Sequence, residues 1–220
     1  MDTDSPIVAV QISRCKRVSF LAEALEYKGR RIYYRDITDV AYSSSARYVN
    51  AIFTGQSYSV RVRSASETIK IRFSWVPFGT RNDKLGERFA QLCGAVASLI
   101  EPVVITKQLE SVYAGPGVTR IDAVEITSEG ITRPRLLRGP AFLPWHRFAG
   151  TTLWDGFVNV HETGRRRPRV FIRVYCEAWN AVLLPRLLTI CAQTSRAMAA
   201  RPEDLRCQRR YALVCHRGQG

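Results

Sequence analysis

Arginine is the residue type in this chain whose clustering points most directly to chemistry. Nine arginines lie between Gly130 and Arg173, opposed only by Asp155 and Glu162. The densest run is Arg165-Arg166-Arg167-Pro168-Arg169, with Trp145, Trp154 and Phe157 nearby in sequence. A guanidinium is a planar, permanently charged fork that binds phosphate or carboxylate through two parallel hydrogen bonds. Aromatic rings beside such forks could stack nucleobases. The competing reading is a solvated loop tip. Arginine outnumbers lysine 28 to 5 across the chain, as a GC-rich genome would produce anywhere, so the local clustering is the informative part.

Residues for catalysis are sparse. The three histidines are His146, His161 and His216. No GxSxG, HExxH, Walker or GxGxxG string occurs. Asp155 with His161 could in principle exchange protons, and Asp36 lies three residues before Asp39. A solvated acid near a surface histidine is the simpler account, so no enzyme, catalytic residue or cofactor is expected. The six cysteines (Cys15, Cys93, Cys176, Cys191, Cys207, Cys215) include no CxxC pair. They read as reduced, mostly buried thiols. The Cys207…Cys215-His216 spacing matches no common zinc pattern, so no metal is expected.

Composition narrows the class. Apolar residues make up 46% of 220, enough to bury real cores. No apolar run approaches the roughly 20 residues that span a bilayer. The start, Met1-Asp2-Thr3-Asp4-Ser5-Pro6, lacks the positive flank and apolar core of a signal peptide. A cytoplasmic protein is therefore expected. The net charge of +14 divides unevenly: residues 1–110 carry 16 Lys/Arg against 11 Asp/Glu, residues 111–220 carry 17 against 8. Such a surplus attracts nucleic acid, anionic lipid or an acidic protein face.

The elements that must position these charges read as a weak internal repeat, a strand-rich stretch closed by a helix, from about Val18 to Glu101 and again from Asp122 to Arg196. Tyr27-Lys28-Gly29-Arg30 and Thr127-Ser128-Glu129-Gly130 supply comparable hairpin signals. In the first copy, Ile7 to Ile12, Val18 to Tyr27, Arg30 to Val40 (bent near Asp36) and Val49 to Phe53 read as strands, with a turn at Gly55-Gln56. Tyr58 to Arg63 and Thr68 to Phe73 alternate cleanly about a Ser64-Ala65-Ser66 turn. This places Tyr58, Val60 and Val62 in the core and Ser59, Arg61 and Arg63 in water. Leu85, Phe89, Leu92, Val96 and Leu99 form one helical stripe, capped by Asn82 or Asp83 and ended by Pro102.

Val103 to Ile105 reads as strand-like, and residues 109–121, with Gly115-Pro116-Gly117, as a linker. In the second copy, Ala123 to Ile126, Ile131-Thr132, Phe142 to Phe148, Phe157 to His161 and Val170 to Tyr175 read as strands. Residues 133–144 read as a loop and Gly164 to Pro168 as a charged hairpin tip. The closing helix covers about 178–200, with Trp179 on its apolar side. Pro185 fits there only if the helix starts within a turn of it. The basic tail, 201–220, includes Tyr211 to Cys215 as a candidate edge strand.

Six or seven short antiparallel strands followed by one amphipathic helix, read twice, resemble the pleckstrin-homology-like barrel. Trp179 is similar in place to the tryptophan in that family's helix. The resemblance implies an α+β chain of two tandem PH-like barrels, 1–108 and 122–200, each closed by a C-terminal helix. It also implies a binding module, for phosphoinositides, peptides or proteins, and not an enzyme. Binders of inositol phosphate in that family use Lys/Arg in and beside the first hairpin. The corresponding residues are Lys28, Arg30 and Arg31, and after the second copy's hairpin Arg133, Arg135 and Arg138.

The function expected is protein–protein adaptation. Grooves and open edges of tandem units would hold one partner bivalently, and basic loops would steer an acidic face toward them. The binding residues expected are Arg133, Arg135, Arg138, Arg165, Arg166, Arg167, Arg169, Lys28, Arg30 and Arg31. An anionic membrane surface and nucleic acid are the alternative partners of the same arginines.

Overall fold

The computed structural model describes residues 5–13, 16–49, 52–75, 82–134, 139–164 and 166–200. It is a mixed α+β chain with four antiparallel sheets and three α-helices among the described residues, and none of the sheets closes on itself. The first half opens with a four-stranded meander: β1 (Val8–Ser13), β2 (Lys16–Phe20), β3 (Ala24–Tyr27) and β4 (Arg30–Tyr33). A 3-10 turn, Tyr34–Asp36, leads into a three-stranded meander of β5 (Ile37–Val49), β6 (Ile52–Ser64) and β7 (Thr68–Trp75). Helices α1 (Asn82–Leu99) and α2 (Glu101–Tyr113) follow. The second half repeats the order: β8 (Val118–Ile121), β9 (Val124–Thr127), β10 (Gly130–Arg133), β11 (Ala141–Pro144), a 3-10 turn Trp145–Arg147, then β12 (Phe148–Trp154), β13 (Phe157–Glu162), β14 (Arg169–Tyr175) and α3 (Leu184–Ala199).

The two 3-10 corners share their anchoring. The Tyr34 amide donates to the carbonyl of Glu23 at 2.8 Å and the Trp145 amide to that of Glu129 at 3.3 Å. The polar tip of each aromatic reaches the chain just past the second strand of its meander: Tyr34 OH donates to Leu21 O and Trp145 Nε1 to Ser128 O, both at 2.9 Å. Each large ring is buried at the corner and its one donor still finds an acceptor there, as burial demands. The strand after each corner bulges at the same step, between Ile37 and Asp39 and between Phe148 and Gly150. These anchors make the Thr127-Ser128-Glu129-Gly130 turn, which joins β9 to β10, correspond to the β2–β3 connection. The Lys28-Gly29 turn joins β3 to β4 and lies one strand further on, so the pairing of those two hairpins expected from sequence is shifted by one strand.

Other expectations shift for local reasons. Val18 to Tyr27 divides into two strands around Leu21–Glu23. Val49 ends β5 and Ile52-Phe53 begin β6, paired across one long hairpin, and Gly55-Gln56 lies inside β6, where Gly55 has φ 144° beside a register shift. Val103 to Ile105 is helical: Pro102 occupies the first turn of α2, where its missing N–H has no intrahelical partner to lose, so it starts a helix instead of ending one. Helices α1 and α2 meet at a 44° bend. The span expected as a linker holds the last turn of α2 and all of β8. Pro185 likewise sits in the first turn of α3. Trp179 precedes that helix and stands apart from its apolar side. The Asn82 and Asp83 side chains and the 201–220 tail, with Tyr211 to Cys215, Cys207 and His216, lie outside the described residues.

Alternation behaves as the pattern demands in the β6–β7 hairpin, where Val60, Val62, Ile69 and Ile71 are buried. The α1 stripe packs on this sheet: the Phe89 ring lies tilted 4.8 Å from Tyr58 and edge-on 6.2 Å from Phe73, centroid to centroid. Helix α2 lies between the halves, burying Val104, Ile105 and Val112 against β5 on one side and β8 and β9 on the other. One continuous apolar cluster runs from Val10 to Ala192 through both halves. No single described helix is long and apolar enough to cross a membrane.

Candidate interaction surface

The seam between the halves explains which surfaces remain open. Strand β5 is an edge strand of its sheet, and its backbone at Val40 is taken by one residue of the second half. Asn180 N–H donates to Val40 O at 2.8 Å, and Val40 N–H donates to Asn180 Oδ1 at 2.9 Å. The Asn180 side-chain amide also donates to Thr38 O and to Asp39 Oδ1. Asn180 holds φ 61°, a left-handed conformation that asparagine tolerates better than most residues. Beside it, Ser43 Oγ donates to Glu177 Oε1 at 2.6 Å and Arg61 donates to the Glu177 carbonyl.

Arg61 and Arg63, expected in water by alternation, instead lie over the Trp179 ring at 4.8 and 4.5 Å from its centroid. Arg63 also pairs with Asp39 at 2.9 Å. Residues 177–180 thus cover this sheet's outer face along β5, where Ala41 is fully buried, while Lys70 and Arg72 on β7 remain exposed. Arg61, Arg63, Arg120, Asp39, Asp122 and Glu177 line a small cleft there with opposite charges interleaved.

In the second half the β12 edge of the corresponding sheet is exposed from Thr152 to Trp154, while Asn159 and Phe171 further into the sheet stay buried. Residues β12 to β14 form an edge-to-edge meander whose two turns lie at opposite ends. One end is the two-residue turn Asp155-Gly156, with φ 50° and 74°, as a tight primed hairpin turn requires. Trp154, Phe157 and Tyr175 pair across the three strands there, the last two rings 5.5 Å apart. Leu153 and Trp154 are 72% and 76% exposed and Tyr175 49%. Trp145, by contrast, is core.

The other end is the basic tip. Arg166, Arg167 and Arg169 are exposed there, and Arg165 lies outside the described residues. The tip folds back so tightly that a Cβ on Gly164 would sit 2.3 Å from the Arg167 carbonyl. Glu162 at its base is engaged by Arg147 at 3.1 Å.

The remaining expected arginines are dispersed. Lys28 is a turn residue at φ 55°, its ammonium 5.5 Å from the Tyr27 ring centroid. Arg30 pairs with Glu67 and Arg31 with Glu26. Arg133 is half-buried with its guanidinium 4.7 Å from the Phe171 ring centroid and its Nε without a partner. Arg135 and Arg138 lie outside the described residues. Asp155 sits at the hairpin end of β13 and His161 at its far end, bonded to Thr152 Oγ1 at 2.8 Å, so that pair is not brought together.

Among the described residues the three thiols are held in the protonated form, and Cys15 lies outside those residues. Burial, then the charge of Glu101, pushes Cys93 up to about 12. Burial also raises Cys176 and Cys191. Nucleophilicity needs the thiolate.

Sequence reasoning named Trp154 as a stacking candidate but missed Leu153 and Tyr175 as surface residues. The signal available was the Asp155-Gly156 dipeptide, a strong two-residue hairpin mark that places Trp154 at the last strand position before a turn. No model of a known protein family matches the sequence, and no curated protein matches it.

Proposed function

We propose that this chain is a non-enzymatic binding or adaptor protein, built of two tandem PH-like units, whose second half receives an acidic protein partner. The observation that carries this is the exposed trio Arg166, Arg167 and Arg169 beside a close fold-back at Gly164, with no acidic residue between Gly164 and Arg169. Three guanidiniums on a tight turn form a directed cation that steers an acidic face and fixes its register. The first half is less suited: Arg30 and Arg31 are engaged by Glu67 and Glu26, which argues against a headgroup site at that hairpin.

The test is capture of the tagged full chain from its native host at low salt, with and without nuclease, beside a variant carrying Arg166→Glu, Arg167→Glu and Arg169→Glu. A near-stoichiometric acidic protein, nuclease-resistant and lost in the variant, is the expected result. Loss of all partners on nuclease treatment would reassign the tip to nucleic acid. Sedimentation with phosphatidylserine vesicles but with no protein would reassign it to lipid.

A further inference from the structure

The molecule uses one sheet edge internally and leaves its counterpart vacant. The shared bulge aligns β5 with β12 residue by residue, so that Val40 corresponds to Thr151, Ala41 to Thr152, Tyr42 to Leu153 and Ser43 to Trp154. Val40 turns both its N–H and its C=O away from β6, to Asn180. In an antiparallel pair these directions alternate, so Thr151 and Leu153 turn theirs away from β13. Strand β12 is an edge of its sheet. Among the described residues no backbone group outside the sheet bonds to Thr151 or Leu153. The position that carries Arg61 in the first half carries Asn159 here, between Thr152 and Arg173. Asn159 is only 5% exposed and its Oδ1 has no partner. Asn159 belongs to the central strand β13 and its Oδ1 is enclosed, so the vacant groups are those of the β12 edge alone.

We propose that the β12 edge, Thr151 to Trp154, takes an extended acidic segment of a protein partner by strand addition. The backbone groups of Thr151 and Leu153 supply the ladder. Leu153 and Trp154 supply apolar anchors on opposite faces of the added strand. Charge selects the sign of the occupant: Arg173 stands two strands away on the Trp154 face, the exposed tip arginines lie at the sheet's far end, and Glu162 is already held by Arg147. This deepens the adaptor reading and rests on it.

The probe is a random twelve-residue peptide library displayed on phage and selected against the full chain, the best peptide then being synthesised. Thr151→Pro is the decisive variant, because proline there removes an N–H that faces away from the ladder and leaves β12–β13 pairing intact. Trp154→Ala is the second variant. The expected peptides are rich in Asp and Glu, slow hydrogen exchange at the Leu153 amide, and lose about tenfold or more in affinity with either variant while the unfolding midpoint stays in place. Acidic peptides that ignore both variants but fail against the Arg166, Arg167 and Arg169 charge reversal would overturn the edge and leave the adaptor reading standing. Peptides without acidic enrichment, or none at all, would overturn both.

Discussion

Asn180 shows how much one side chain decides. It makes four hydrogen bonds to Thr38, Asp39 and Val40 from a 3%-exposed position, across a sequence separation of about 140 residues. Removing the side chain leaves the Val40 N–H buried and unpaired. Asn180→Ala should therefore cost about 2–3 kcal/mol in urea unfolding. Asn180→Gly, which relieves the left-handed backbone, should cost somewhat less. A midpoint unchanged in both would show that the edge bonds contribute nothing net.

The tyrosines set the alkaline limit. Burial pushes Tyr34 and Tyr113 up to about 12, and pushes Tyr42, which donates to Glu101 at 2.6 Å, further still. Unfolded tyrosine ionises near 10. Above that pH the unfolded chain holds fewer protons than the folded one, so stability present below pH 10 is lost as pH rises toward 12. Urea midpoints measured from pH 8 to 11.5 should fall from about pH 10 onward, and Tyr34→Phe should flatten that fall.

At the scale of elements, the corners and turns carry the tightest constraints. Strand β10 begins at Gly130 because a Cβ there would meet Leu143 O at 2.3 Å and the Phe142 ring at 2.7 Å. The atom it meets first is backbone, so the neighbour cannot simply rotate away. Gly130→Ala should destabilise by about 1–3 kcal/mol, as overpacking does, readable in the thermal midpoint. Much of this scale was legible in the sequence: the β6–β7 alternation, the α1 stripe, and the tight turns at Lys28-Gly29 and Gly164–Pro168. The helix at Glu101–Tyr113 was not. Its Val103-Val104-Ile105 run is β-branched and reads as strand, yet burial between two sheets outweighs that weak local preference.

For the whole molecule, the shared core decides behaviour. Helix α2 contacts both halves, and Asn180, Trp179 and Glu177 dock on the β5 side of the first sheet's outer face. The full chain should unfold in one transition, with far-ultraviolet dichroism and tryptophan fluorescence coinciding. A fragment of residues 1–116 would expose Val104 and Ala41 together with the unpaired Val40 edge, and should associate or remain unfolded in size-exclusion and urea measurements. A monomeric fragment with its own sharp transition would show instead that the halves are independent.

Periodicity, turn dipeptides and charge clustering determined, from sequence alone, the β6–β7 hairpin, the α1 stripe, the mixed α+β class and the basic tip, because each depends on residues a few positions apart. Which faces stay open was decided by the tertiary structure. Arg61 and Arg63 alternate outward like any solvated pair, and only docking of residues 177–180 sets the Trp179 ring against them. Trp145 and Trp154 are the same residue type in the same half. One lies in the core because its corner folds under α3, and the other lies in solvent because its hairpin runs past the core's end. Burial is set by contacts between distant segments, and no local pattern in the chain records them.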